Sequence, residues 1–138
     1  MGCDEVILLD THVLIWLSKD DAAIGKQCRV AYNRAIENGE VAISVVSYWE
    51  LGMLVAKGRL GAAHAPAYYR QHIQDTAIEE LPLTGDIAIL ASDLEALHGD
   101  PADRFIAATA IAHGATLMTA DRTLLKWKNV LPRQDASR

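Results

Sequence analysis

Four carboxylates stand at points of this chain where an α/β fold would gather them: Asp10, Glu50, Asp103 and Asp121. Asp10 ends the apolar run Val6-Ile7-Leu8-Leu9, and Asp121 follows the run Ala115-Thr116-Leu117-Met118-Thr119 by one residue. Glu50 and Asp103 each fall in the first turn of an expected helix. In open parallel sheets, strand C-termini and helix N-termini collect on one edge, and ligands bind in the crevice there. Four acids in one crevice repel one another unless a cation sits among them. A hard divalent ion with oxygen ligands is the simplest candidate. A metal held by carboxylates, with water and phosphate completing its shell, is equipment for phosphodiester hydrolysis.

Each acid also has a plain structural explanation. Ser47-Tyr48-Trp49-Glu50 reads as a capping box, with Ser47 at the N-cap and Glu50 at N3. Asp103 sits where an acid favours the helix dipole, behind the cap Asp100 and Pro101 at the first helical position. Asp10 can cap a helix and Asp121 can belong to a turn. Caps account for one acid per helix start. They do not account for two strands that both run into an aspartate at the same edge. The two explanations are also compatible, since a helix start fixes an acid in place while a free carboxylate oxygen meets a ligand.

The elements that must position these acids alternate between strand and helix. Residues 5–9 read as a short buried strand of the parallel type, followed by a short helix from Asp10-Thr11. Residues 21–38 read as a helix closed by Asn38-Gly39, and 41–45 as a second strand. A helix from Ser47 stops at Gly58, and another spans 65–77. Residues 78–83 form a third strand that Pro82 places near an edge. Thr84 caps a helix to about Leu97, and Asp100 opens one that closes at His113-Gly114. Residues 115–119 are the fourth strand, with a short fifth expected at 129–131. Strands alternating with helices imply a three-layer α/β/α sandwich on a mostly parallel sheet of four or five strands. The 138 residues fit one domain spanning 1–138.

Composition narrows the functional classes. About half of the residues are hydrophobic, which supports a sizeable core. The formal net charge of −5 gives no global basic field for nucleic acid, yet a bound metal reverses the sign of an acidic site. Positive charge is local: Arg122, Lys126, Lys128, Arg133 and Arg138 crowd the tail, and Lys57 and Arg59 follow the Glu50 helix. Both groups read either as solvated surface or as phosphate contacts. Two cysteines, Cys3 and Cys28, are too few for a disulfide framework and point to a reduced, cytoplasmic setting. There is no long apolar run to span a membrane. The start lacks a basic, apolar signal pattern, and Val6 stands where a myristoylation motif wants Ser or Thr. His12, His64, His72, His98 and His113 lack H-E-x-x-H spacing, and no glycine-rich phosphate loop or G-x-S-x-G elbow occurs. His98, near Asp100, reads as a surface histidine. Trp16, Tyr48 and Trp49 pack a core or leave a groove for a partner.

The segments Leu8-Leu9-Asp10-Thr11-His12-Val13-Leu14-Ile15-Trp16, Ser44-Val45-Val46-Ser47-Tyr48-Trp49-Glu50-Leu51, Asp100-Pro101-Ala102-Asp103-Arg104-Phe105-Ile106-Ala107-Ala108 and Leu117-Met118-Thr119-Ala120-Asp121 resemble the four signature blocks of PIN-domain ribonucleases. More narrowly, they resemble the VapC-type toxins of type II toxin–antitoxin pairs. The resemblance covers nearly the whole chain. It implies a Mg²⁺- or Mn²⁺-dependent endoribonuclease with Asp10, Glu50 and Asp103 as core acids and Asp121 as the fourth, more variable one. Thr11 and Thr119 match small hydroxyl positions beside the site. One departure is Ala102, where relatives often carry a bulky aromatic.

The implied mechanism has one or two ions held by Asp10, Asp103 and Asp121, with Glu50 orienting a water or acting as general base. In-line attack then leaves 5′-phosphate and 3′-hydroxyl ends. The implied partners are an RNA substrate, a cognate antitoxin whose tail lies near Trp16, Tyr48 and Trp49, and a second copy in a homodimer. Three other readings stay open. A catalytically silent PIN-like binding module would keep the fold without the chemistry. An aspartate-based phosphotransfer domain would use Asp10 as nucleophile, but it wants a second acid where His12 stands. A receiver-like signalling domain wants an acidic pair after the first strand, whereas Asp4-Glu5 precedes it.

Overall fold

The computed structural model describes residues 5–97 and 99–138. Gly2, which a myristoylation motif would modify, and Cys3, Asp4 and His98 lie outside the described residues. Five strands, β1 (Ile7–Leu9), β2 (Val41–Ser44), β3 (Ile78–Leu81), β4 (Thr116–Thr119) and β5 (Arg133–Asp135), form one sheet in the order β3-β2-β1-β4-β5. Every pairing is parallel, so the sheet is wholly rather than mostly parallel. Parallel neighbours need crossovers, and seven helices are described: α1 (Thr11–Ser18), α2 (Lys26–Glu37), α3 (Val46–Ala56), α4 (Pro66–Gln74), α5 (Gly85–Asp93), α6 (Pro101–Ala112) and α7 (Arg122–Lys126). This is the expected α/β/α sandwich.

The two faces of the sheet carry separate cores. Side chains alternate along a strand, so Ile7 and Leu9 of β1 face one layer while Leu8 faces the other. The first layer joins Ile7, Leu9, Val41, Ile43 and Met118 to α1, α2 and α4 through Val13, Leu14, Cys28, Tyr69 and Ile73. The second joins Leu8, Ala42, Leu81 and Leu117 to α6 and α7 through Ile106, Ala107, Ala110 and Leu124. All three residues of β1 are buried, as a central parallel strand requires. β3 lies at the edge, as Pro82 indicates, and carries Glu79 and Glu80. The Tyr48 hydroxyl and the Arg70 guanidinium both donate to Glu80 Oε1, at 2.6 and 2.9 Å.

Several sequence expectations are corrected. The fifth strand is Arg133–Asp135 rather than 129–131, pairing Leu117 with Arg133. α2 starts at Lys26 rather than 21, because the chain's last residues pack against Gly25. Gly25 N–H donates to Ala136 O, Cys28 N–H donates to Arg138 O, and a Cβ at Gly25 would collide with the Arg138 backbone. α5 ends at Asp93, well short of Leu97. Among the described residues no helix is long and apolar enough to cross a membrane.

Candidate active site

The sheet order reverses between β1 and β4: the chain winds from β1 out to β2 and β3, then returns to the far side of β1. The crevice beyond the carboxyl ends of two such strands is where open α/β sheets bind ligands. Asp10 immediately follows β1, and Asp121 lies two residues past β4. Leu9 pairs with Met118, and Asp10 N–H continues the ladder to Met118 O at 3.0 Å.

Asp10 is buried and held at both oxygens. Thr11 N–H donates to Oδ1 at 2.8 Å, and the Thr119 hydroxyl donates to Oδ2 at 2.7 Å. Thr119 in turn accepts the Asp121 N–H at 3.0 Å, so one buried hydroxyl sets both strand-end acids. Asp121 Oδ1 caps α7 by accepting the N–H groups of Thr123 and Leu124. A carboxylate oxygen has two lone pairs, so these contacts leave acceptor capacity on both aspartates.

α3 departs from the capping-box expectation. It begins at Val46, without a side-chain cap and with no acid in its first turn. Ser47 is inside the helix and buried, its hydroxyl 2.9 Å from the Thr11 hydroxyl. Glu50 is therefore released from any cap, and its carboxylate feels Thr11, Asp10, His12 and Asp100. Its Oε1 is buried with no hydrogen-bond partner among the described residues. A buried polar atom with no partner is costly, and this one stands beside the acids.

α6 matches its expected start: Asp100 caps it by accepting the Ala102 and Asp103 N–H groups, Pro101 is first, and Asp103 is third. Asp103 is buried among acids. Burial raises its carboxyl first, and repulsion from Asp10, Asp100, Asp121 and Glu50 raises it further, to about 8. Burial likewise raises Asp10, against the opposing hydrogen bonds from Thr119 and Thr11. Burial raises Glu50, with Asp10 and Asp100 adding and Thr11 and His12 opposing. The four acids singled out from sequence thus act on one another electrically.

Asp100 and His12 are the residues that sequence reasoning missed. Asp100 was read as a cap alone, yet its charge raises both Asp103 and Glu50. The sequence gives His12 no role at the site, only a misfit to zinc spacing and to a phosphotransfer acid, yet its charge opposes the shifts of Asp10 and Glu50. Both occupy helix starts that gather at the acidic edge, and that placement was the available signal.

Trp16, Tyr48 and Trp49 do not line one groove. Trp16 packs on the first core layer, Tyr48 is tied to Glu80, and Trp49 is exposed. The tail cations also divide. Arg133 turns inward and donates to the carbonyls of Leu124, Trp127 and Asn129, and Arg138 pairs with Asp135. Arg133 is thereby withdrawn from phosphate contact, while the Arg138 side chain stays 75% exposed.

The donor set is entirely carboxylate oxygen, which suits Mg²⁺ or Mn²⁺ rather than zinc. Among the described residues, no three His, Cys, Asp or Glu side chains form a ready metal cage. Magnesium does not require one, since it usually takes one or two carboxylates and completes its shell with water and phosphate. The orphaned Glu50 oxygen and the raised carboxyls fit such an ion.

The PIN domain family model matches residues 7–129. The chain belongs to the PIN-domain family. This PIN domain is 34% identical over 128 residues to Ribonuclease VapC22 of Mycobacterium tuberculosis, covering 91% of this chain and 95% of that one. Its fold is similar to the solved VapBC-1 from nontypeable Haemophilus influenzae, with TM-score 0.68 and 19% identity over 96% of this chain and 99% of that one. It is also similar to a toxin–antitoxin complex from Klebsiella pneumoniae, with TM-score 0.59 and 22% identity over 88% and 92% of the two chains. At these identities the structures speak for the PIN fold alone.

Proposed function

We propose that this PIN domain is a Mg²⁺- or Mn²⁺-dependent endoribonuclease and the toxin half of a type II toxin–antitoxin pair. The observation that carries the reading is the crevice at the β1/β4 switch point. There Asp10, Glu50 and Asp103 have raised carboxyls, Asp121 adds its charge to the cluster, and a buried Glu50 oxygen has no partner among the described residues. The relative named as a ribonuclease, matched over nearly its full length, supports RNA as the substrate.

Asp10, Asp103 and Asp121 would hold the cation, with Thr11 and Thr119 fixing the rotamer of Asp10. A bound divalent ion supplies charge neutralisation at the scissile phosphate and lowers the pKa of an attacking water. Glu50 would accept the proton of the attacking water. Its raised carboxyl brings it closer to neutral pH than a free glutamate, which suits a general base. The crevice walls, through buried Thr11, Ser47 and Thr119, keep these groups from relaxing into other contacts.

An antitoxin would silence the site by placing a cation among the acids, with an arginine suited to bidentate pairing. The Klebsiella neighbour, described as a toxin–antitoxin complex, supports such a partner. A homodimer belongs to the same proposal.

The test is cleavage of total cellular RNA by purified protein in Mg²⁺ or Mn²⁺ against EDTA, with Asp10→Asn alongside. Discrete fragments that need metal and vanish in the variant are expected. Equal cleavage by Asp10→Asn, or cleavage undiminished in EDTA, would overturn the reading. A binding-only PIN module would leave RNA intact while still taking up Mn²⁺ in calorimetry.

A further inference from the structure

A cleft of about 520 Å³ opens beside the acids, and Trp49, Glu50, Met53, Lys57, Arg59 and Asp100 are among its walls. One face of α3, with its C-cap Lys57, builds one wall. Glu50, Met53, Leu54 and Lys57 stand at i, i+3, i+4 and i+7, so they share a stripe. From Glu50 to Lys57 the helix rises about 10 Å. The cleft is therefore polarised. Glu50 and, across from it, Asp100 mark the end that belongs to the acidic crevice. Lys57 and Arg59 mark the other end; both are exposed, and neither forms an ion pair among the described residues. Trp49, 56% exposed, lines the same cleft. Pro101 and Ala102 at the start of α6 also line it.

Exposed lysines and arginines are ordinary. An exposed tryptophan that shares one cleft with an acidic crevice and two uncommitted cations is not. Single-stranded nucleic acid is held by this combination, an aromatic face on which a base stacks and cations that track the backbone. An acidic peptide would satisfy the cations but offers no base to stack on Trp49, and a purely apolar one would leave Lys57 and Arg59 desolvated without a partner.

We propose that this cleft is the subsite for the nucleotide next to the scissile phosphate, with its base stacked on Trp49 and its outer phosphate held by Lys57 and Arg59. The inference rests on the ribonuclease reading for the position of the scissile phosphate. Its binding test does not depend on cleavage.

The experiment uses the full chain carrying Asp10→Asn and a single-stranded RNA oligonucleotide, followed by tryptophan fluorescence and anisotropy. Binding should quench fluorescence. Trp49→Ala should weaken affinity about tenfold or more and remove most of the quench, since Trp16 and Trp127 are more buried. Lys57→Gln with Arg59→Gln should flatten the slope of log K against log salt by about 0.7 per lost phosphate contact. Lys26→Gln, on exposed α2 surface, should change neither. In the active protein the same cleft variants should raise KM and leave kcat and metal dependence in place. All three side chains are exposed, so thermal unfolding should be unchanged.

Undiminished RNA binding and an unchanged salt slope in the cleft variants would overturn the subsite. So would intact RNA binding with lost antitoxin binding, which would make the cleft a protein-docking face. If the wild type cleaves no RNA but oligonucleotide binding still depends on Trp49, the subsite stands and the catalytic reading falls.

Discussion

Asp103 and Arg104 are consecutive on α6 and meet opposite fates. Arg104 donates to the carbonyls of Ala91, Ser92, Leu94 and Leu97, and so clamps the last turn of α5 and the segment after it onto α6. Arg133 does the same for the segment after α7. Asp103 faces the other way, into Asp10, Asp100, Asp121 and Glu50, all of which raise its carboxyl. A charge surrounded by satisfied partners rigidifies a fold. A charge surrounded by its own sign destabilises it until a counter-ion arrives. The contrast separates scaffold from site within one turn of helix, and each side of it can be broken separately.

The largest effect belongs to the acids. Asp103→Asn should lower cleavage on the order of a thousandfold, the equivalent of losing several kcal/mol of metal-borne stabilisation, while the folded spectrum persists. Near-normal turnover in this variant would place the chemistry elsewhere. Arg104→Gln should do the reverse, costing about 2–3 kcal/mol of stability in urea unfolding as carbonyls lose a charged donor. Unchanged stability would mean that the clamp is ornamental.

The metal-free protein should also reveal the crowding through pH. The Asp103 carboxyl titrates near 3.8 in an unfolded chain and at about 8 in the folded one. Between those values the folded state binds more protons, so stability should fall as pH rises from about 4 and level off above about 8, with a slope of up to about 1.4 kcal/mol per pH unit from this group. In EDTA, Asp103→Asn should remove that part of the slope. A wild-type stability that climbs across the same window would contradict the assigned crowding. Smallest is Thr119→Val, which strips Asp10 Oδ2 of its donor and Asp121 N–H of its acceptor. Metal affinity by calorimetry should drop about tenfold, and an unaltered affinity would dismiss Thr119 as a positioning residue.

The scaffold and the site were legible to different depths. The acids at Asp10 and Asp121 were readable because buried strands announce themselves as apolar runs, and a polar residue at their end has only the sheet edge to occupy. The start of α6 was readable because Asp100, Pro101 and Asp103 each do one job that backbone geometry demands. α3 was misread because Ser47 and Glu50 have capping-box spacing, while burial of Ser47 against Thr11 shifts the helix start to Val46. That tertiary contact is what frees Glu50. The inward turns of Arg104 and Arg133 were invisible because a cation in sequence looks the same whether it meets solvent or carbonyls. The late start of α2 was hidden for a similar reason. Its limit is set by the Arg138 backbone, far away along the chain, lying where a Gly25 Cβ would be.

The most direct measurement is thermal unfolding at pH 7.5, in EDTA and in a Mn²⁺ titration, of the wild type, Glu50→Gln and Asp103→Asn. The wild type should gain stability with metal, about 2.7 kcal/mol at a hundredfold excess over Kd. Asp103→Asn should start higher in EDTA and respond weakly, and Glu50→Gln should fall between them. A wild type indifferent to Mn²⁺, with both variants no more stable than it in EDTA, would contradict the claim that these carboxylates are gathered to hold a cation.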